Sequence, residues 1–298
     1  MTGRRKTAFV FAGGGSLGAV QVGMLKTLVA RGFEADAVVG CSVGAINAAY
    51  FAGDPTPAGV AKLEAIWRGL RRADVFPTPG LRGLMGLFSE RTHFVESAVL
   101  GQLLERELPY RRLEEAKLPC VVLATDFLEG IEIRIASGPV REALLASAAI
   151  PGIFPAVQID GRHLVDGGVA NDTPIAAAVA LGAERLIVLP TGYSCTRSTA
   201  PRTALGAALQ GLNILTCGKL VTAVRHFRGQ AEILVVPPLC PLDVSPLDFR
   251  RTGELLARAA AETERWLAEG VAMVDGVPHQ LPPHSHRGDG NPYGPRLM

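Results

Sequence analysis

Residues 9–50 read FVFAGGGSLGAVQVGMLKTLVARGFEADAVVGCSVGAINAAY, two apolar runs that each end in a glycine-rich turn opening a helix-compatible segment. The second turn carries Ser42 in Gly40-Cys41-Ser42-Val43-Gly44, a G-x-S-x-G between the apolar run 37–40 and the helix-like stretch 43–51. A sharp strand-to-helix turn needs small residues on both sides of the serine, because a Cβ at Gly40 or Gly44 would crowd the backbone. Such a turn pushes the hydroxyl outward. It also sets Oγ at a helix N-terminus, where unpaired N–H groups and the helix dipole favour developing negative charge.

Working outward, strand-like apolar runs alternate with helix-period segments, which predicts an α/β fold with a mainly parallel central sheet flanked by helices. Strands are expected at 7–12, 36–41, 119–125, 131–136, 185–190 and 232–236, and helices at 19–31, 43–51, 58–72, 203–228 and 247–268. Asp54-Pro55-Thr56-Pro57 caps the third helix. Pro139 marks a further helix start. Residues 157–160 and 163–165 flank Gly161-Arg162, a tight hairpin. Residues 1–6 form a basic end, 7–270 one catalytic domain, and 271–298, rich in Pro, His, Gly and Asn, a disordered tail.

The chain has 298 residues, 48% of them hydrophobic, enough for one substantial core. Thirty basic against 28 acidic side chains leave a charge of +2, and no basic block suits a nucleic acid. The five cysteines, Cys41, Cys120, Cys195, Cys217 and Cys240, are odd in number and widely spaced, which suggests neither a disulfide framework nor a zinc site. A reducing, cytoplasmic setting follows. Arg4-Arg5-Lys6 is followed by an apolar stretch that stops at Gly13, too short for an export signal, and no later uncharged apolar span reaches membrane-crossing length.

The first glycine turn, Gly13-Gly14-Gly15-Ser16-Leu17-Gly18, satisfies the dinucleotide fingerprint G-x-G-x-x-G after a strand and before a helix. A Rossmann unit places its ribose-binding acid at the carboxyl end of the second strand. Here Glu34 and Asp36 precede that strand and Cys41-Ser42 ends it. The same backbone can serve instead as an oxyanion hole, with amides around Gly14 and Gly15 aimed at an ester carbonyl oxygen.

A serine nucleophile needs a base. Of six histidines, His279, His284 and His286 lie in the tail, His93 and His226 sit in arginine-bearing segments, and His163 lies on the hairpin three residues before Asp166. Asp166 is the stronger candidate, in Leu164-Val165-Asp166-Gly167-Gly168, where Gly167 and Gly168 permit a turn that frees the carboxylate. D-G alone is also a common hairpin signal.

Taken in order, Gly-Gly-Gly-x-x-Gly, the G-x-S-x-G, Ser147-Ala148-Ala149-Ile150-Pro151-Gly152-Ile153-Phe154-Pro155 and Asp166-Gly167-Gly168 resemble the patatin-like phospholipases, closely over residues 7–190 and more loosely over 247–268. The resemblance implies a three-layer α/β/α fold and a catalytic dyad of Ser42 and Asp166 with no histidine. It implies an oxyanion hole at Gly13, Gly14, Gly15, Ser16 and Gly18. It also implies a serine hydrolase of lipid or fatty-acyl esters, whose two-step acyl transfer needs no cofactor or metal; peripheral membrane contact is one reading of the apolar segment 77–88. Many members carry Arg or Lys where this chain has Leu17. Cys41 is expected to be a small buried residue at the strand end.

Residues 77–88, PTPGLRGLMGLF, bring Leu81, Leu84, Met85, Leu87 and Phe88 together as either a loop packed over the core or an apolar lid contacting acyl chains. Residues 204–221 line the same site or complete the core. Three functions stand at this point: a lipid acyl hydrolase, a dinucleotide-binding oxidoreductase, and a non-catalytic lipid-binding protein.

Overall fold

The first two apolar runs are covered on both faces, which is why neither alternates with polar residues. In the computed structural model, which describes residues 5–77, 93, 95–170, 174–193, 195, 200–201, 203–270, 277–282 and 284, β1 (Thr7–Phe11) sends Phe9 and Phe11 into one hydrophobic cluster and Ala8 and Val10 into another. β2 (Ala37–Cys41) divides likewise, Val38 to the first cluster and Val39 and Cys41 to the second. The two strands pair in parallel with Phe11 opposite Gly40. The turns leaving their carboxyl ends therefore lie side by side.

β3 (Cys120–Asp126) pairs with β2 in parallel. Antiparallel strands finish that edge: β4 (Glu132–Ile135) and β6 (Arg162–Asp166) both pair with β3, and β5 (Val157–Ile159) forms a hairpin with β6. On the other side β7 (Arg185–Leu189) pairs with β1 and β8 (Glu232–Val235) with β7, both parallel. The order is β5-β6-β3-β2-β1-β7-β8, with β4 on β3.

Helices cover both faces. α1 (Gly18–Ala30), α2 (Val43–Gly53) and α3 (Pro57–Gly69) form one layer. Thr56 caps α3 by accepting the Gly59 N–H, with Pro57 at the first helical position. α4 (Arg72–Val75), α5 (Ala98–Glu107) and α6 (Val140–Ser147) follow on the same side. α7 (Ile175–Ala180) and the C-terminal half of α8 (Ala204–Phe227) cover the opposite face through Ile175, Ala178, Leu220 and Val224. α9 (Thr252–Ala268) returns to the first layer and crosses α1 so closely that a Cβ on Gly23 would lie 2.4 Å from Leu256 O.

Three expectations need correction. The hairpin turns at Asp160 and Gly161, which both have positive φ, and Arg162 is already in the strand opposite Ile159. α9 begins at Thr252, because Asp248 N donates to Ser245 O and Arg250 N to the Asp248 carboxylate, holding 245–250 in turns. The segment after residue 276 is not wholly a loose tail: Val277 and Leu281 are buried in the second cluster. Two apolar anchors fix a short segment whose average composition reads as disordered. α8 is long and apolar enough over Gly206–Phe227 to cross a bilayer by length and composition alone; its buried residues belong largely to the core, as the second reading of 204–221 has it.

Candidate active site

Ser42 occupies the step between β2 and α2 at φ 54 and ψ −128. A non-glycine residue there stores strain of about 1–3 kcal/mol, so the surroundings must hold it. They do so by close approach on either side. A Cβ on Gly40 would meet Ala45 Cα at 2.5 Å, and one on Gly44 would meet Ala12 O at 2.4 Å. The Ser42 N–H donates to Ser147 Oγ at 2.9 Å, and that hydroxyl donates to Leu123 O at 2.5 Å.

Ser42 Oγ donates directly to Asp166 Oδ2 at 2.6 Å. Asp166 ends β6, paired with Ala124 of β3, which is why two residues 124 positions apart in sequence meet. Its other oxygen accepts the Gly168 N–H at 2.8 Å, so the D-G-G turn fixes the carboxylate's rotation. Thr125 Oγ1 donates to Asp166 O at 2.9 Å and accepts from Ala170 N, clamping the turn. Gly167 is required by space: a Cβ would stand 2.7 Å from Leu123 O and 2.9 Å from Cys41 Sγ. Cys41 itself is fully buried, as expected. Asp166 is 1% exposed and Ser42 9% exposed, so the pair reaches solvent from the serine side.

The glycine turn stands beside Ser42, since a Cβ on Gly13 would come 3.3 Å from Ser42 Cβ. Two loops grip it. Thr191 Oγ1 donates to Gly13 O at 2.6 Å, and a Cβ on Gly14 would fall 2.2 Å from that same oxygen. On the other side Ser16 donates its N–H to Pro246 O at 2.8 Å and its hydroxyl to Ser245 O. Gly15, at φ 59, packs against Pro246 O, 2.6 Å from an added Cβ. The Ser16 amide is thereby engaged, and that of Gly18 is taken up by Gly15 O and Ser16 O. Neither is free to bind an oxyanion. The amides of Gly13, Gly14, Gly15 and Val43 donate to no acceptor among the described residues. Leu17 is fully buried in the first hydrophobic cluster.

From Ser42 and Gly15 an almost wholly apolar pocket runs along α2, past Val43, Ile46 and Tyr50, with Trp67, Leu104 and Phe249 opposite. The eight residues from Val43 to Tyr50 span roughly 10 Å of helix. Trp67 stacks on Phe249 at 6.4 Å, closing one wall. At the far end the Tyr50 hydroxyl is pushed above the ordinary phenol range by burial and by Glu107 and Asp54, so it stays neutral.

The dinucleotide reading loses its support here, although not through topology. The parallel strands run β3-β2-β1-β7-β8, a winding a nucleotide-binding unit also uses. The details differ. Pro246 O occupies the Ser16 N–H where a pyrophosphate would sit, and Asp36 accepts the Thr7 N–H at 2.8 Å, beside the start of β1 rather than its carboxyl end. His163 lies on an exposed stretch of β6 opposite Gln158, His226 is exposed on α8, and His93 faces Glu96 at 3.4 Å. Leu81, Leu84, Met85, Leu87 and Phe88 fall outside the described residues.

Several positioning residues were missed in the sequence. Gln21 Nε2 donates to Ala12 O and Leu189 O, and Asn47 donates to Gly18 O and Gln21 Oε1 while accepting from Trp67 Nε1. This buried, satisfied network ties α1, α2 and α3 to the strand ends beneath the glycine turn. Its signal was present as two amides inside otherwise apolar helical runs. Ser147 stood out only as the first residue of the 147–155 motif, with no role read for it, and Thr191 carried no signal.

Fold and site together define an α/β protein with a strand–elbow–helix serine after β2 hydrogen-bonded to an aspartate at the end of β6, with β3 between the two strands. The family model described as Patatin-like phospholipase matches residues 9–179, more than half of the chain, and the protein belongs to that family. An uncharacterised NTE family protein of Mycobacterium tuberculosis is 27% identical over 187 residues, covering 62% of this chain and 48% of that protein. Patatin-like phospholipase domain-containing protein 7 of Mus musculus is 27% identical over 210 residues, 68% of this chain and 15% of that protein. The match thus spans about half the length of the mycobacterial relative and a small part of the mammalian one. Among solved structures, VipD from Legionella pneumophila aligns over 90% of this chain and 67% of its own at 14% identity and a TM-score of 0.45. ExoU in its complex with SpcU from Pseudomonas aeruginosa aligns over 90% and 53% at 15% identity and a TM-score of 0.42.

Proposed function

We propose that the protein is a lipid acyl hydrolase that cleaves carboxylic esters through Ser42 and Asp166. The observation that carries this reading is the direct 2.6 Å hydrogen bond from Ser42 Oγ to Asp166 Oδ2 at the mouth of an apolar pocket. Asp166 takes the Ser42 proton as Oγ attacks the ester carbonyl, and the proton passes to the leaving alcohol as the tetrahedral intermediate collapses. A water then gives its proton to Asp166 while attacking the acyl-enzyme, and Ser42 recovers its hydrogen as the fatty acid leaves.

The oxyanion is bound by amides of Gly13, Gly14 and Gly15, with Val43 N–H at the start of α2 as a further donor. One such donor is worth about 3 kcal/mol, which lets a carboxylate serve as the base for an alcohol. Two features support an acyl substrate: the pocket's apolar lining and its course along α2, roughly 10 Å, enough for a medium-length chain. Phospholipids, lysophospholipids and neutral esters all present such a chain, at a membrane surface reached from the cytoplasm.

The test is hydrolysis of p-nitrophenyl esters and a phospholipid panel by wild type, Ser42→Ala and Asp166→Asn. Each substitution is expected to cut turnover at least about 10³-fold while the protein stays folded. Undiminished turnover in either folded variant contradicts the dyad.

A further inference from the structure

Cys195, Cys240 and His284 come from three separate stretches of the chain, all beyond the part that matches the family. Their donor atoms nevertheless lie within 4.8 Å of one another. We propose that these three side chains form a binding site for a zinc-class divalent ion. The site clamps the C-terminal segment and both loops that grip the glycine turn.

The imidazole is oriented for this. His284 Nδ1 lies 2.8 Å from Pro282 O and 3.2 Å from the Tyr193 hydroxyl. A carbonyl oxygen can only accept, so the ring proton is on Nδ1 and the Nε2 lone pair faces Cys240 Sγ, 3.1 Å away. A ligating histidine is held in the same way, its second nitrogen donating to a backbone carbonyl. His284 is positioned further by its own N–H, which donates to Tyr193 Oη at 3.0 Å. Leu242 N donates to Cys195 Sγ at 3.4 Å, a bond that strengthens when the sulfur is a thiolate.

The donor set selects the ion. Two sulfurs and one imidazole suit zinc and offer nothing to magnesium or calcium, which take oxygen. In a tetrahedral zinc site, ligand bonds near 2.3 Å to sulfur and 2.0–2.1 Å to nitrogen bring donors to about 3.6–3.8 Å apart, within the span already present. Water fills the fourth position. Binding releases two protons, one from each thiol, and leaves the ion on two thiolates and a neutral imidazole.

The anchoring points give the ion its consequence. Cys195 follows Thr191, which bonds Gly13 O, and Cys240 leads into Ser245 and Pro246, which bond Ser16. His284 closes the segment whose Leu281 is buried against the second cluster. The ion thus braces the oxyanion turn from both sides without touching substrate.

The experiment uses full-length protein purified under reducing conditions from zinc-supplemented culture. Elemental analysis should find about one zinc per chain in wild type and almost none in Cys195→Ser, Cys240→Ser or His284→Ala. Cobalt-reconstituted wild type should show thiolate-to-cobalt charge-transfer absorption, a readout that needs no variant to fold. Chelator should lower the Tm of wild type and leave that of folded variants unchanged. Wild type without zinc or a cobalt band, a Cys195–Cys240 disulfide in its place, or zinc retained equally by all three variants would overturn the proposal.

Discussion

Ser147 supports the proposed nucleophile through a contact to the backbone of Ser42. Its hydroxyl accepts from Ser42 N and donates to Leu123 O, with both partners buried. Ser147→Ala leaves the buried N–H of Ser42, a residue already at positive φ, without its acceptor, a loss of about 1–3 kcal/mol. The expected outcome is a lower Tm together with about a tenfold fall in kcat at little changed KM, because the elbow tilts while the acyl pocket persists. A slower rate of fluorophosphonate labelling separates this from a loss of stability alone. Unchanged kcat in Ser147→Ala would remove it from the catalytic account.

At the scale of elements, α2 links the proposed nucleophile to the proposed acyl pocket, since Ser42 precedes it and Val43, Ile46 and Tyr50 line the pocket along it. Ile46→Trp should fill the pocket about one turn from the serine. Activity on long-chain p-nitrophenyl esters should fall at least about tenfold, with short esters spared. An unaltered chain-length profile would put the acyl chain elsewhere. Much of this arrangement was legible in the chain. β1 and β2 read as strands because each is an unbroken apolar run ending in a glycine-rich turn, Ser42 stood out between Gly40 and Gly44 and Asp166 ahead of Gly167 and Gly168, and the family resemblance implied their pairing. The rest depends on contacts no local pattern carries. Ser147 lies 105 residues from Ser42, and Ser16 meets Ser245 across 229 residues. The cysteines looked too dispersed for a metal site because only the returns from β7 and β8 bring Cys195 and Cys240 together. The engagement of the Ser16 amide likewise depends on the 245–246 loop, through Pro246 O.

For the whole molecule, the last third of the chain holds the first third in working shape. β7 and β8 extend the sheet beyond β1, α9 packs on α1, and Thr191 and Pro246 fix the glycine turn. Glu232 at the start of β8 takes part in this joining. The Arg185 guanidinium, with Arg5, holds its carboxyl below the usual range despite partial burial. A lowered folded value means that stability from Glu232 is present above the unfolded value of about 4.3 and is lost as pH falls through the folded one. Glu232→Gln should therefore lower the urea midpoint at pH 7 and converge with wild type near pH 3; an equal gap at both would deny the linkage. The central claim remains that one serine on the β2–α2 elbow forms an acyl-enzyme. Its most direct test is the intact mass and peptide map of wild type and Ser42→Ala after exposure to a fluorophosphonate. One adduct on Ser42, absent from the folded variant, is the predicted result. An adduct on another residue, or none on folded and reduced wild type, would contradict it.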